Sequence, residues 1–169
     1  MYKNEPISKV EWIDVNELDA NEYNPNVVLN KELSLLEFSI LKNGWIQPIL
    51  IDKNNVIIDG YHRYYLSKTS KKLGKVYERK APCVRMDLDE AERMLLTIRI
   101  NRAKGNHVAI KMHEIVRALI DEHQVTKEYI CESIGAGIQE VDLLYKEGVF
   151  DALNIKEHKY SKAWKTKTR

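Results

Sequence analysis

The sequence predicts an α+β protein in which a small α/β domain precedes an all-helical segment. Three observations carry this prediction. Two short apolar runs, 49–51 and 56–58, are separated by turn-forming asparagines, which is typical of paired strands. Apolar residues recur at helical spacing before and after these runs. From residue 107 to residue 148 the apolar pattern is helical throughout. We therefore expect an α/β domain at 1–106, a helical domain at 107–148 and a basic tail at 149–169.

The α/β part alternates between strand and helix patterns. Asn30 can cap the first long helix, and Gly44 suits its end. Asp89 and Glu92 have the spacing of a capping box that opens another long helix. The remaining predicted elements, in order, are an opening strand at 10–18, a turn at 21–26, strands at 49–51 and 56–58, a helix at 61–73 and a strand at 82–88.

The helical part contains two short helices close together. Thr126 can cap a helix over 127–134, the Gly135-Ala136-Gly137 turn ends it, and a second helix follows over 138–146. A longer helix over 112–123 precedes them. Two short helices around a glycine-containing turn have the form of a helix-turn-helix, but also that of a plain helical hairpin.

Composition limits the class of protein. The chain has 169 residues, a length that suffices for one domain or for a compact domain with a small appendage. Its formal net charge is +2. No apolar run approaches the length of a membrane helix, and the N-terminus has no secretory pattern. Cys83 and Cys131 are far apart, as expected of reduced thiols in a cytoplasmic protein. From residue 156 onward there are six Lys or Arg residues against one acid, which indicates either a nucleic-acid contact or a solvated tail.

The most informative segment follows the second apolar run. A strand pattern stops at Asp59-Gly60, and a helix pattern starts at once with Tyr61, His62 and Arg63. The free N–H groups at a helix start favour an anion, and an arginine in the first turn adds a donor fork suited to phosphate. The segment therefore predicts a phosphate cradle, although a simple tight turn with solvated side chains would leave the same pattern.

Four segments, in order, resemble the boxes of the ParB/sulfiredoxin superfamily. They are Asn-Glu-Tyr-Asn-Pro-Asn at 21–26, Asn-Gly-Trp-Ile-Gln-Pro-Ile at 43–49, Asp-Gly-Tyr-His-Arg-Tyr at 59–64 and Asn-Arg-Ala-Lys at 101–104. Residues 125–148 resemble the helix-turn-helix that follows in partition proteins. The fourth box and the Ser-Lys-Ala-Trp ending at 161–164 look most like a smaller branch of phage and plasmid proteins, which includes IbrB-type transcriptional co-activators.

The resemblance implies a bound nucleoside triphosphate, CTP or ATP, with Mg²⁺. Asn101 would help to hold the Mg²⁺ ion, and Lys104 would take the place of a phosphate-binding arginine. Sulfiredoxin chemistry needs a cysteine where this chain has Tyr61, so we do not expect that activity. The acid that helps nucleotide hydrolysis in partition proteins is replaced here by Ile100, so the resemblance supports nucleotide binding more than hydrolysis. The residues expected at the nucleotide are Gln47, Pro48, Gly60, Tyr61, His62, Arg63, Asn101 and Lys104.

The leading hypothesis is a nucleotide-binding, DNA-binding regulator, a transcriptional co-activator or partition-type protein. In it, Gln139 pairs with adenine in the major groove, and a homodimer would pair two DNA half-sites. Against base reading, Glu140, Asp142 and Glu147 make the second short helix acidic. The residues expected at DNA phosphates are Lys127, Lys146, Lys162 and Lys165.

Two enzyme readings and one non-enzyme reading remain as alternatives. Free serine kinases have a closely similar Asp-Gly-His-His-Arg box, and in that reading Asp59 helps to hold the phosphates and Glu22 is the catalytic base. A ParB-like nuclease would need clustered carboxylates, and Asp59 is the only acid in the cradle. The third alternative is a scaffold that binds a protein partner and no nucleotide.

Overall fold

The computed structural model describes residues 2–20, 30–104 and 109–146. Within these ranges the chain forms a mixed sheet and a set of helices, which is the predicted α+β class. The strands are β1 (Val10–Asp14), β2 (Ile49–Asp52), β3 (Ile57–Asp59) and β4 (Lys80–Met86). The helices are α1 (Asn30–Asn43), α2 (Tyr61–Thr69), α3 (Lys71–Tyr77), α4 (Glu90–Ala103), α5 (Ala109–Asp121), α6 (Lys127–Ile134) and α7 (Ile138–Tyr145). Short 3₁₀ turns cover Tyr2–Asn4, Pro6–Ser8 and Val15–Glu17.

The strands form one sheet in the order β1-β4-β2-β3. Strands β2 and β3 are antiparallel, which confirms the predicted hairpin-like pair. Strand β4 lies between β1, with which it is antiparallel, and β2, with which it is parallel. The parallel pairing brings the start of β2 beside the centre of β4, with Ile49 opposite Cys83. The sheet therefore carries the β3–α2 junction on an outer strand, next to the start of β2.

The chain divides into two compact units between Arg93 and Met94, inside α4. The core of the first unit is formed by residues of β1 to β4, by Val15 and Leu18 after β1, and by Tyr64 of α2. A second cluster joins α1 to α2 and α3 through Ile40, Leu66 and Leu73. In the second unit, α5, α6 and α7 bury apolar residues that include Val116, Leu119, Ile130, Val141 and Leu144. The predicted boundary after residue 106 lies C-terminal to this division. The division of the chain into an α/β domain, a helical domain and a basic tail stays a prediction.

Several local signals have the predicted effect. Gly44 follows the last residue of α1 with a φ of +77° and donates its N–H to the carbonyl oxygen of Ile40. Asp89 accepts the N–H of Glu92 at 2.9 Å, and Thr126 accepts that of Tyr129 at 3.3 Å. Asn30, predicted as a cap, is instead the first residue of α1.

Some predicted bounds were wrong. The helix expected over 61–73 is two helices, because Ser70 has an extended backbone and accepts the N–H of Leu73, starting α3 anew. The opening strand ends at Asp14, whose carboxylate accepts the N–H of Asn16 and begins a 3₁₀ turn. The strand expected over 82–88 starts two residues earlier, since Lys80 still pairs with Asp14 of β1. None of the helices in the described ranges is both long and apolar enough to span a membrane.

Candidate functional site

The junction of β3 and α2 forms the predicted cradle. Strand β3 ends at Asp59, Gly60 takes a left-handed conformation with a φ of +98°, and α2 begins at Tyr61. A Cβ atom at position 60 would lie 3.2 Å from the Cα of Ile49 and 3.1 Å from Nη1 of Arg63. Both the backbone conformation and the crowding therefore require glycine here.

The N-terminus of α2 lacks a side-chain cap. Gly60 accepts the N–H of Tyr64 at 3.0 Å with its carbonyl oxygen, which closes the first helical turn. The N-cap residue is Gly60, which has no side chain with which to accept an N–H of the first turn. The backbone donors of this turn and the positive end of the helix dipole are thus oriented as in an anion site.

Arg63 lies directly beside this helix start. Its Nη1 donates to the carbonyl oxygen of Pro48 at 2.6 Å, and its Nη2 donates to Oε1 of Gln47 at 2.9 Å. Burial lowers the pKa of Arg63 from its ordinary value, and the negative charge of Asp59 partly opposes this. The guanidinium is therefore held in a defined orientation between the glycine turn and the segment that follows α1.

A pocket of about 200 Å³ adjoins Arg63. Its wall combines apolar side chains from the end of α1 with polar groups, and it is lined by Leu36, Ser39, Ile40, Gly44, Trp45, Ile46, Gln47 and Arg63. The indole N–H of Trp45 is buried and has no hydrogen-bond partner among the described residues. The pocket thus offers apolar surface together with the polar side chains of Ser39, Gln47 and Arg63, as small-molecule sites commonly do.

The structure brings four of the predicted nucleotide residues together: Gln47, Pro48, Gly60 and Arg63. Tyr61 and His62 begin α2 in the same cradle and are half-buried. The Tyr61 ring stacks on that of Tyr65, with centroids 6.5 Å apart. Trp45 lines the pocket, whereas Trp12 does not. Trp12 lies on the outer strand β1 and is 51% exposed, although its ring stacks on that of Tyr77.

Asn101 and Lys104 belong to the second unit. Asn101 is 8% exposed, and its Nδ2 donates to the carbonyl oxygen of Thr97 at 2.9 Å, so this side chain is packed along α4. Lys104 is exposed at the end of α4. Their roles at Mg²⁺ and phosphate stay predictions. Within the described ranges, no group of three or more His, Cys, Asp or Glu side chains could hold a metal ion.

The two short helices form as predicted, with α6 ending at Ile134 and Gly135 in a left-handed conformation with a φ of +65°. Gln139 is exposed on α7, and Lys146 is exposed at the position that follows the last residue of α7. Lys127 is engaged within the unit: its Nζ donates to Oδ1 of Asp142 at 2.6 Å and lies 5.1 Å from the centre of the Tyr145 ring.

Sequence reasoning missed how α4 holds the turn between α6 and α7. Arg99 donates from Nε to the carbonyl oxygen of Ser133 at 2.8 Å. Arg102 pairs with Glu140 at 2.6 Å and also donates to the carbonyl oxygen of Gly135 at 3.4 Å. These partners are more than thirty residues apart in the chain, so only the charge of the arginines could have drawn attention to them.

Three predicted site residues lie outside the described residues: the candidate base Glu22, and Lys162 and Lys165 of the basic tail. The 21–26 box lies there too. The kinase-like hypothesis has two catalytic candidates, Glu22 and Asp59. Of these, the structure describes Asp59, which ends β3 and is half-buried. Both catalytic assignments stay predictions.

The chain is similar to several known proteins. It is 34% identical over 174 residues to the uncharacterised protein YbdM of Escherichia coli K12, covering 98% of this chain and 80% of that protein. It is 30% identical over 128 residues to a probable chromosome-partitioning protein ParB of Rickettsia conorii, covering 75% of this chain but only 42% of that protein.

A similar fold occurs in the C-terminally truncated partitioning protein ParB of Caulobacter crescentus, whose crystal structure was determined with the centromeric parS site. The TM-score is 0.53 at 17% identity, and the match covers 85% of this chain and 77% of that chain. At this identity the likeness concerns the fold alone. The family of the ParB N-terminal domain matches residues 2–101, which is more than half of the sequence, and the chain therefore belongs to that family.

Proposed function

We propose that the protein is a nucleotide-binding, DNA-binding regulator of the ParB type. In this proposal the first unit binds a nucleoside triphosphate at the cradle, and the second unit binds DNA through α6 and α7. The observation that carries it is the position of the Arg63 guanidinium beside Gly60, at the uncapped start of α2.

The cradle fits phosphate on two independent grounds. The start of α2 supplies backbone donors and the positive end of a helix dipole. Arg63 supplies a positively charged planar fork within reach of the same place, since its Nη1 lies 3.1 Å from where a Cβ of residue 60 would be. His62 lies in the same turn, with its Nε2 atom buried.

The adjoining pocket supports a ligand larger than phosphate. Its apolar wall together with the polar side chains of Ser39, Gln47 and Arg63 suits a flat group with hydrogen-bonding atoms at its edge, such as a nucleobase. A Mg²⁺ ion brought with the nucleotide would be held mainly by phosphate oxygens and water, as is usual for this ion, since the described residues contain no carboxylate cluster.

The DNA-binding half of the proposal rests on α6 and α7 and on the relatives. Helices α6 and α7 have the lengths typical of a helix-turn-helix, and the turn between them has three residues. The relatives include a probable chromosome-partitioning protein and a fold neighbour determined with its DNA site. Regulation of transcription, an origin in phage or plasmid and a homodimer belong to the proposal as well.

The test is isothermal titration of the purified protein with CTP, ATP and GTP in the presence of Mg²⁺. We expect one nucleotide to bind, and Arg63→Ala to weaken it at least about tenfold, the loss typical of a charge-assisted contact. Lys72→Ala is the matched control, because it removes a positive charge from the same unit at a side chain that is 73% exposed, pairs with Glu37 and does not line the pocket. Absence of nucleotide binding, or equal binding by Arg63→Ala, would overturn the cradle assignment.

Two further assays separate the remaining readings. Fluorescence anisotropy with duplex DNA, with and without the bound nucleotide, should show binding that weakens steeply with salt. A product assay with the nucleotide and free serine detects phosphotransfer. Phosphorylated serine without DNA binding would replace the regulator by the kinase reading.

A further inference from the structure

Helix α7 has two opposite faces. Val141 and Leu144 are buried and attach it to the second unit. Gln139, Leu143 and Lys146 lie on the other side at i, i+4 and i+7, and all three are exposed. We call these three residues the reading face. Leu143 is 47% exposed, although a large apolar side chain on a solvent-facing position gains nothing from water.

The acidic residues that flank the reading face are paired. Glu140 on one side accepts from Arg102 at 2.6 Å, and Asp142 on the other accepts from Lys127 at 2.6 Å. The hydrogen bond to Asp142 raises the pKa of Lys127, so this lysine stays charged at neutral pH. These pairs neutralise two of the three acids that made α7 look unsuited to a polyanion, and the third, Glu147, lies outside the described residues. Lys146 adds a positive charge at the end of the face.

The start of α7 is open to a close approach. Gly137, its N-cap, supplies no side-chain cap. Cβ atoms added at Gly135 or Gly137 would have nothing within 4 Å. The turn before α7 therefore leaves room for a phosphate of the same partner to approach the helix start.

We propose that the reading face recognises A·T base pairs in the major groove, with Leu143 contacting the C5-methyl group of thymine and Gln139 pairing with adenine. This inference rests on the proposed function, because it requires that the second unit binds DNA. A leucine between a glutamine and a lysine fits this partner: thymine alone presents a methyl group in the major groove, adenine presents the donor and acceptor that match an amide, and a phosphate neighbours both.

The test uses duplexes selected from a random library by the full-length protein with its nucleotide. Each thymine of the selected duplex is replaced in turn by uracil, which removes only the C5-methyl group. We expect at least one replacement to weaken binding about fourfold, the value for burying one methyl group. Leu143→Ala should bind the thymine and uracil duplexes equally.

Ile138→Ala is the matched control. Ile138 is a similarly exposed apolar residue of α7 but lies off the reading face, so this variant should still discriminate thymine from uracil. Gln139→Ala should relax the selection of adenine at one position. Sequence-selective binding without any effect of the methyl group, or full discrimination by Leu143→Ala, overturns the reading face while DNA binding stands. Absence of DNA binding by the unmodified protein overturns both.

Discussion

The guanidinium of Arg63 donates to the carbonyl oxygen of Pro48 at 2.6 Å, across fifteen residues of sequence. This contact ties the first turn of α2 to the segment that leads into β2. Without a ligand, the arginine that we assign to phosphate thus has a structural partner. A ligand phosphate would use the donors of the fork that remain, or replace the exposed contact to Gln47.

This arrangement predicts unequal effects of two substitutions on stability. Arg63→Ala leaves the part-buried Pro48 carbonyl without its donor and should lower the free energy of unfolding by about 1–3 kcal/mol. Gln47→Ala removes a solvent-exposed contact and should cost less than about 0.5 kcal/mol. Urea denaturation of both variants without nucleotide checks this. A loss for Gln47→Ala as large as that for Arg63→Ala would contradict the assigned geometry.

Gly60→Ala should be more costly than an alanine at another left-handed glycine. Gly44 has a φ of +77° with nothing within 4 Å of an added Cβ, so Gly44→Ala should cost about 1 kcal/mol for the backbone conformation alone. At Gly60 the same strain is joined by contacts of 3.2 Å to Ile49 and 3.1 Å to Arg63, and the loss should reach about 2 kcal/mol or more. Chemical denaturation of the two variants gives the comparison, and equal losses would show that crowding at Gly60 has no effect.

The two cysteines should differ in reactivity. Cys83 is fully buried in β4, and burial raises the pKa of its thiol to about 12. Because the thiolate is the reactive form, Cys83 should resist alkylation in the folded protein, while the half-buried Cys131 should be labelled first. Mass spectrometry of peptides after brief iodoacetamide treatment, with and without urea, measures this. Labelling of Cys83 ahead of Cys131 without urea would be inconsistent with the packing of β4.

The second unit should lose stability at alkaline pH. Tyr145 donates its hydroxyl to Oδ1 of Asp121 at 2.7 Å, and this raises the pKa of Tyr145 above its ordinary value of 10.0. Since the folded-state pKa is the higher one, the contribution is fully present below the unfolded pKa and is lost as the pH rises through the folded pKa. The free energy of unfolding should therefore fall above about pH 10.

The check is urea denaturation at about pH 8 and about pH 11 for the unmodified protein, for Tyr145→Phe and for Tyr65→Phe as the control. Tyr145→Phe lacks the titrating hydroxyl and should show a smaller fall with pH. Tyr65 is an exposed tyrosine of the other unit, and its variant should behave like the unmodified protein. An unchanged fall in Tyr145→Phe would exclude this bond as its cause.

Much of the candidate site was predictable because its signals are local. Asp59-Gly60 ends a strand and precedes Arg63 by a few residues, so the glycine turn and the arginine of the first helical turn are adjacent in sequence. The split at Ser70 was missed because helical periodicity continues across it, and the serine hydroxyl decides the matter by capping α3.

By itself, the sequence determined the helix ends at Gly44 and Gly135, the β2–β3 pair, the cradle and the α6–α7 turn, because each depends on interactions between near neighbours. Only the tertiary structure decided the strand order, the contact of Arg63 with Pro48 and the pairing of Arg102 with Glu140. Those features depend on which distant segments pack together, and the last of them joins side chains thirty-eight residues apart. Packing therefore neutralises Glu140 on a helix whose composition alone had argued against a DNA surface.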